Sequence, residues 1–277
     1  MRSLRGRRLI MAVVATLLLA GSAAPSAARY TPSKRGHTPA IIRERHGSMV
    51  TSTNWSGYAI TGSKGSVTEV KGSWIVPSVN CAATPTASSS FWVGIDGYTS
   101  NTVEQVGTDS DCQSGSPRYY AWFEFYPHLS FTLNDFPVRP NDLLSAEVQA
   151  GDKGAFTVSI TNVATGQSFS TTTKMPSAGQ TSAEWIIEAP YSGGVLPLAD
   201  FVSVSFENCS YTAGNSGPQP IGPFTKPNVD ELTMVTKDGT PKSQPSGLSN
   251  DKETNTSSFT DSWLSAGPDR RQLGRNK

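Results

Sequence analysis

Apolar and polar residues alternate with a period of two along most of the chain from Thr53 onward, in short runs closed by Gly, Pro, Asn and Ser. That is the pattern of strands turning one face to a core, and no stretch keeps a 3.6-residue period for the roughly twelve residues of a typical helix. The runs predict about a dozen strands: 54–60, 67–76, a pair within 91–109, 118–126, 143–150, 155–162, 167–173, 181–189, 198–207, 229–235 and 258–264. Pro77 and Pro190 close two of them, because proline cannot donate to a ladder. Residues 237–255 read as a polar connector rich in Gly, Pro and Ser. So many short strands must bury their apolar faces on one another, which predicts an all-β fold of two packed antiparallel sheets about 10 Å apart.

The period also says what each strand shows on its other side. In FWVGIDGYTSNTVEQVGTD (91–109), Phe91, Val93 and Ile95 share one face, and Trp92, Gly94 and Asp96 the other. Val103, Gln105, Gly107 and Asp109 fall together on the second strand. In 118–126, a core made of Tyr119, Ala121, Phe123 and Phe125 leaves Tyr120, Trp122, Glu124 and Tyr126 opposite. The second face therefore carries carboxylates and an amide among aromatics and glycines. A carboxylate in an apolar groove has its pKa raised by desolvation or by a like charge, and can then serve as general acid or base in acidic water. Asp96, Glu124, Glu184 and Glu188 are embedded in this way, and pattern alone favours Glu124. Gln105 cannot be a base, but its N–H can donate to a developing oxyanion. The same face admits two other readings: a polysaccharide-binding module using Trp55, Trp92 and Trp122, or a glycoside hydrolase using Glu124 and Glu184.

Charge and composition alter the picture mainly at the N-terminus. Arg2, Arg5, Arg7 and Arg8 precede an apolar run, Leu9 to Ala20, and then Ser22-Ala23-Ala24 and Ser26-Ala27-Ala28. This predicts a secretory signal peptide over 1–28, too short to span a bilayer, and hence an extracellular protein with no membrane contact after cleavage. Residues 29–50 form a basic leader or pro-segment, 51–265 the sandwich domain and 266–277 a frayed tail. Of the 23 Lys/Arg and 22 Asp/Glu, nine and one lie in 1–46, leaving fourteen and twenty-one for the rest. An acidic body argues against nucleic acid as a partner. It also lets the basic leader lie over an acidic cleft and close it by charge pairing, the alternative being a disordered linker. Three cysteines in an oxidising space suit one disulfide and one free thiol. Cys81 and Cys112 bracket the 91–109 strand pair and are the favoured bridge among three possible pairings, with Cys209 left over. The cysteines and His37, His46 and His128 offer no ligand spacing, so neither metal nor cofactor is expected. Histidine is too scarce for a His-based triad to be favoured, and there is neither a Gly-x-Ser-x-Gly elbow nor a pair of Asp-Thr/Ser-Gly signatures.

The segments TNWSGYAI, GSWIVPSV, FWVGIDGY, VEQVGTD, YAWFEFYP, TGQSFSTT, AEWIIEAP and ADFVSVSF, in this order over 53–206, resemble the glutamic peptidases, the eqolisin family of acid endopeptidases. The resemblance implies a β-sandwich of two bent antiparallel sheets, concanavalin/lectin-like, acting as a monomer on polypeptide substrates. It implies a catalytic pair of Gln105 and Glu184, a supporting acid network of Asp96, Asp109 and Glu124, and a cleft lined by Trp55, Trp92 and Trp122. In that scheme the glutamate takes a proton from water, the glutamine holds the oxyanion, and the glutamate returns the proton to the leaving nitrogen.

Overall fold

The computed structural model describes residues 30–222 and 228–267, so the expected signal peptide and most of the expected C-terminal tail lie outside the described residues. The strands in chain order are β1 (Tyr30–Pro32), β2 (Ile42–His46), β3 (Met49–Ser52), β4 (Trp55–Thr61), β5 (Val67–Ile75), β6 (Ala87–Ile95) and β7 (Val103–Gln113). They continue with β8 (Ser116–Tyr126), β9 (Phe131–Leu133), β10 (Leu143–Ala150), β11 (Ala155–Asn162), β12 (Gln167–Lys174) and β13 (Ser182–Glu188). The last are β14 (Ser203–Ala213), β15 (Gln219–Pro220), β16 (Val229–Val235), β17 (Pro241–Pro245), β18 (Ser249–Asp251) and β19 (Thr256–Trp263).

The predicted all-β architecture is present. One sheet runs β1-β9-β8-β7-β6-β13-β4-β16. The other runs β17-β19-β14-β5-β10-β11-β12. The two join where β16 passes its ladder on to β17, with a register shift at Met234/Val235. Every ladder among the described strands is antiparallel except β3 on β16, and an isolated bridge between Ser88 and Leu198 is parallel. At the far side no ladder among the described residues closes the ring. Phe123 instead stacks on Phe169 at 5.3 Å, and Tyr30 meets Phe169 edge-on at 6.3 Å.

The core between the sheets takes the faces the period predicted: Phe91, Val93, Ile95, Val106, Ala121, Phe123 and Trp185 against Val70, Trp74, Val148, Val158 and Phe206. Full burial of such an aliphatic or Phe side chain stabilises the fold by about 1.5–3 kcal/mol. The indole N–H groups inside this core are satisfied, Trp74 by Thr108 Oγ1 (2.9 Å) and Trp185 by the Lys71 carbonyl (2.6 Å). Outer strands alternate as a half-wet sheet should: β11 buries Phe156, Val158 and Ile160 while its Thr and Ser residues pair with those of β12. The central strands β6 and β13 differ, being buried on both faces. Their second face forms a separate apolar cluster of Trp55, Ala59, Trp92, Val103, Trp122 and Ile186. The Cys81–Cys112 disulfide is formed, and it links the loop before β6 to β7.

Several segments depart from the sequence reading: β9 and β15 were not expected, and the strand expected at 198–207 runs instead over Ser203–Ala213 as β14. The polar connector 237–255 contains β17 and β18, missed because β17 buries Lys242 and Ser243 where a strand usually shows apolar residues. The leader contributes β1 and β2, which are exposed along their length and carry no apolar alternation. In addition, β3, which straddles the expected domain start, pairs in parallel with β16.

Candidate active site

The second face of β7, β6, β13 and β4 is a floor whose rows are set by register. Gln105 stands opposite Glu124 on one side and Gly94 on the other, and Gly94 stands opposite Glu184. Four residues along, Asp109, Ser90, Glu188 and Trp55 form a second row. Side chains in one row point the same way, so all these groups face the same side of the sheet. Trp92 lies between the rows. A Cβ added at Gly94 would come within 2.8 Å of the Trp92 ring and 3.3 Å of Gln105 Cβ, so glycine is needed there for the indole to lie over the floor.

The leader crosses this floor from Ser33 to Ile41 and is held most densely from Gly36 onward. Gly36 forms a two-way bridge with Tyr191, N to O at 3.1 and 3.0 Å. His37 N–H donates to Glu124 Oε2 at 2.8 Å, and Gln105 Nε2 donates to the His37 carbonyl at 3.0 Å. Thr38 N–H donates to Glu188 Oε1 at 3.0 Å, and Trp55 Nε1 to the Thr38 carbonyl at 3.0 Å. Asn54 Nδ2 holds the Pro39 carbonyl (3.1 Å), and Ala40 N–H donates to the Gly97 carbonyl (3.0 Å). Glu188 Oε2 receives Trp92 Nε1 at 3.0 Å, so both its oxygens have oriented donors. Gln105 Oε1 is buried and has no hydrogen-bond partner.

The His37 ring fills a pocket of its own. It is 1 % exposed and lies flat on Trp122, with ring centres 3.4 Å apart and planes within 4°. Its Nδ1 is 3.2 Å from Glu124 Oε2; its Nε2 is 2.9 Å from Ser90 Oγ and 3.4 Å from Asp109 Oδ1. Burial works to lower the imidazole pKa, but the bonds to Asp109 and Glu124 prevail and lift it to about 10, so the ring is cationic at neutral pH. Asp109 responds in the opposite sense: burial works to raise it, yet His37, Ser90 and Tyr120 hold it below the ordinary carboxylate value. The network continues through the Tyr120 hydroxyl, 2.7 Å from Asp109 and 2.9 Å from Asp111, to an Arg35–Asp111 ion pair. Burial, reinforced by Asp109, pushes Asp111 up to about 6 against the pull of Arg35. Burial raises Glu124 as well, and takes Glu188 to about 8 although His37, Thr38 N–H and Trp92 N–H all favour its charge.

Gln105, Glu124, Asp109, Trp55, Trp92 and Trp122 thus converge on one stretch of peptide. Two other residues singled out from the sequence stand apart from it. Asp96, at positive φ (72°), clamps the turn before β13 by accepting from Gln180 N, Thr181 N and Thr181 Oγ1 at 2.7–2.9 Å. Glu184 is fully buried with neither oxygen hydrogen-bonded. Burial holds its pKa well above the usual range, with Asp96 and Glu104 adding to the effect. Four contributors escaped the sequence reading as parts of this site: His37, Arg35, Tyr120 and Asp111. Tyr120 was legible as sharing the Trp122 and Glu124 face; the leader residues carried no local signal beyond their positive charge.

The comparisons with known proteins agree with this architecture. Residues 53–247 match the model of the Peptidase A4 family. Aspergillopepsin-2 of Aspergillus niger is 32% identical over 195 residues, 62% of this chain and 67% of that protein. Scytalidopepsin B of Scytalidium lignicola is 32% identical over 173 residues, 58% of this chain and 64% of that protein, so the match falls short of two thirds of its length. Among solved structures, aspergilloglutamic peptidase from Aspergillus niger superposes with a TM-score of 0.55 at 30% identity, over 64% of this chain and 99% of that one. Scytalido-glutamic peptidase, solved with a transition state analog inhibitor, shares the fold with a TM-score of 0.62 at 24% identity, over 76% and 98%. With the family model covering more than half of its length, this chain belongs to the Peptidase A4 (eqolisin) family and is a glutamic-type endopeptidase.

Proposed function

We propose that the protein is a secreted acid endopeptidase that hydrolyses polypeptides with Gln105 and Glu188 as its working pair. The observation that carries this reading is a single peptide group. The His37 carbonyl takes the Gln105 N–H, and the adjoining Thr38 N–H meets Glu188 Oε1, each at 3.0 Å. An amide donor on the carbonyl oxygen and a carboxylate at the nitrogen are what hydrolysis of that bond requires. Glu188 in its ionised form takes a proton from water, and the water oxygen adds to the carbonyl carbon. Gln105 holds the oxyanion, and Glu188 delivers its proton to the departing nitrogen. The acyl-side residue of a substrate is held through its N–H by Glu124, as His37 is. Trp92 N–H fixes the Glu188 carboxylate and favours its charged form.

This reading moves the base from Glu184, the residue the resemblance pointed to, to Glu188. Neither Glu184 oxygen has a hydrogen-bond partner, and burial, Asp96 and Glu104 favour its neutral form against the pull of Ser182 and the Tyr98 backbone. The polysaccharide readings are not favoured: the aromatic floor is occupied by extended backbone, and its polar groups match peptide N–H and C=O. Secretion rests on the N-terminal sequence over 1–28. The test is cleavage of denatured casein or haemoglobin between pH 3 and 5 in the presence of pepstatin. The expected result is turnover by the parent, lost in Glu188→Gln and Gln105→Ala and kept in Glu184→Gln. Turnover by Glu188→Gln at the parent rate overturns the assignment.

A further inference from the structure

The short strand β17 carries a lysine where a core residue is expected. Lys242 and Ser243 are both buried, although neighbours on a strand point to opposite faces. Ser243 turns its hydroxyl to the Asp261 carboxylate, and Lys242 turns the other way. Lys242 is 4 % exposed, and its ammonium has neither a hydrogen bond nor an ion pair among the described residues. Its stem runs beneath Gly267, where an added Cβ would lie 3.2 Å from both Cδ and Cε, so the chain closes over the methylenes. The lysine lines a cavity of about 540 Å³ whose apolar walls are Val195, Leu196, Val235 and Ala266. The other two charges on the lining, Lys237 and Asp238, are exposed and of opposite sign, and Asp238 already accepts from Thr236 Oγ1. Val195 and Leu196 belong to the loop after β13 whose Tyr191 bridges Gly36, so one loop borders both this cavity and the cleft.

We propose that this cavity is a binding site for a small monocarboxylate with an apolar body, such as a medium-length acyl chain, whose carboxylate pairs with Lys242 and whose hydrocarbon lies on Val195, Leu196, Val235 and Ala266. An ammonium taken out of water without a partner is costly, and an anion brought beside it offsets that cost. Burial pulls the Lys242 pKa down to about 8, with no carboxylate opposing it, so the group is still mainly cationic in neutral and acidic water. An anion is what that charged state lacks. The rest of the lining selects which anion. A single buried cation matches a single negative charge, and a phosphate dianion would keep one charge unmatched among apolar walls. Those walls have no other use for a ligand than to cover hydrocarbon. The volume falls within the ~300–1,000 Å³ common to small-molecule sites.

The experiment titrates the full-length protein by calorimetry with sodium octanoate near pH 6.5, where the probe is ionised and the lysine protonated, and with octanol as its uncharged match. Protein isotope-labelled at the lysine Cε reports the same titrations by NMR. The expected result is one saturable site that takes octanoate at least about tenfold more tightly than octanol. Octanoate should move the one lysine signal that is missing from Lys242→Met. That variant keeps the bulk of the stem; it should weaken octanoate at least about tenfold and octanol less than about twofold. Val195→Trp, which fills the cavity and leaves the lysine in place, should abolish both. The proposal is overturned by absence of saturable octanoate binding, or by equal affinity for octanoate and octanol, as a neutral amine in a greasy hole would give. It is also overturned by unchanged octanoate affinity in either variant, or by movement confined to the other lysine signals. Should Lys242→Met not fold, the octanoate-to-octanol ratio of the parent and the loss in Val195→Trp decide the matter by themselves.

Discussion

Glu184 and Glu188 lie four residues apart on β13, on the same face and both fully buried, yet their surroundings differ in kind. Around Glu188 the sheet and the leader supply directed groups: an indole N–H on one oxygen, a peptide N–H on the other, and the His37 cation nearby. Around Glu184 there is burial and acid: no hydrogen bond to either oxygen, with Asp96 and Glu104 close enough to raise its pKa further. Glu104 repeats the pattern on the core side, both oxygens unpartnered and its pKa pushed by burial and by Asp96 to about 9. On the reading proposed above, depth of burial does not separate the reacting carboxylate from the silent one; the orientation of its donors does.

The contrast is sharpest in activity. Glu188→Gln should lower the rate of casein cleavage by about 10²–10⁴-fold, the usual worth of a positioned acid–base group. Glu184→Gln should stay within about tenfold of the parent, or ~1.4 kcal/mol; the reverse order of the two variants breaks the comparison. Next in size is Gln105→Ala, expected to cost about 10²–10³ in kcat with little change in KM, because its N–H matters most once charge has developed on the oxygen. A loss confined to KM would reduce Gln105 to a substrate-binding group.

Stability should then reverse the ranking of the two glutamates. The folded-state pKa of Glu184 lies above its unfolded value, so the folded chain keeps a proton that the unfolded chain releases. That contribution is complete below about 4.5 and is lost as pH rises toward the folded pKa. Glu184→Gln removes the loss. Its Tm should match the parent near pH 4 and exceed it at pH 7, by roughly 2–4 °C for each kcal/mol recovered. An unchanged difference between the two pH values would mean that Glu184 is ionised in the folded protein.

The smallest effect concerns the leader. Burial and Asp109 push the Asp111 pKa up to about 6 and Arg35 pulls against them, so the ion pair needs Asp111 ionised. The ion pair therefore contributes above about pH 6 and fades as pH falls through that value. Arg35→Ala should cut amide-exchange protection of the β1–β9 ladder about fivefold at pH 7, or ~1 kcal/mol. It should have no effect at pH 4. Equal loss at both pH values would assign Arg35 a packing role alone.

The two-residue period was enough to place the core and to put Trp92, Gln105, Asp109, Trp122 and Glu124 on one floor, because each strand needs only its own sequence to decide which face is apolar. It could not choose between Glu184 and Glu188. Residues an even number apart share a face, and what divides them is supplied by other strands and by the leader. The place of Asp96 was hidden for a related reason. It follows the last residue of β6, where the period ends and a positive φ turns the side chain toward the turn at Gln180 and Thr181. His37 was invisible for the opposite reason, since a lone histidine in a polar segment gives no sign of a pocket formed by residues more than fifty positions away.

The leader segment is joined to the rest of the molecule through the same peptide group that lies on Gln105 and Glu188. While that bond is whole, the segment acts as a tethered ligand whose local concentration is set by its short connection, of millimolar order, whatever the dilution of the protein. The same contacts made by a separate peptide would follow that peptide's bulk concentration, so a segment too weak to occupy the cleft in trans is sufficient to close it while tethered.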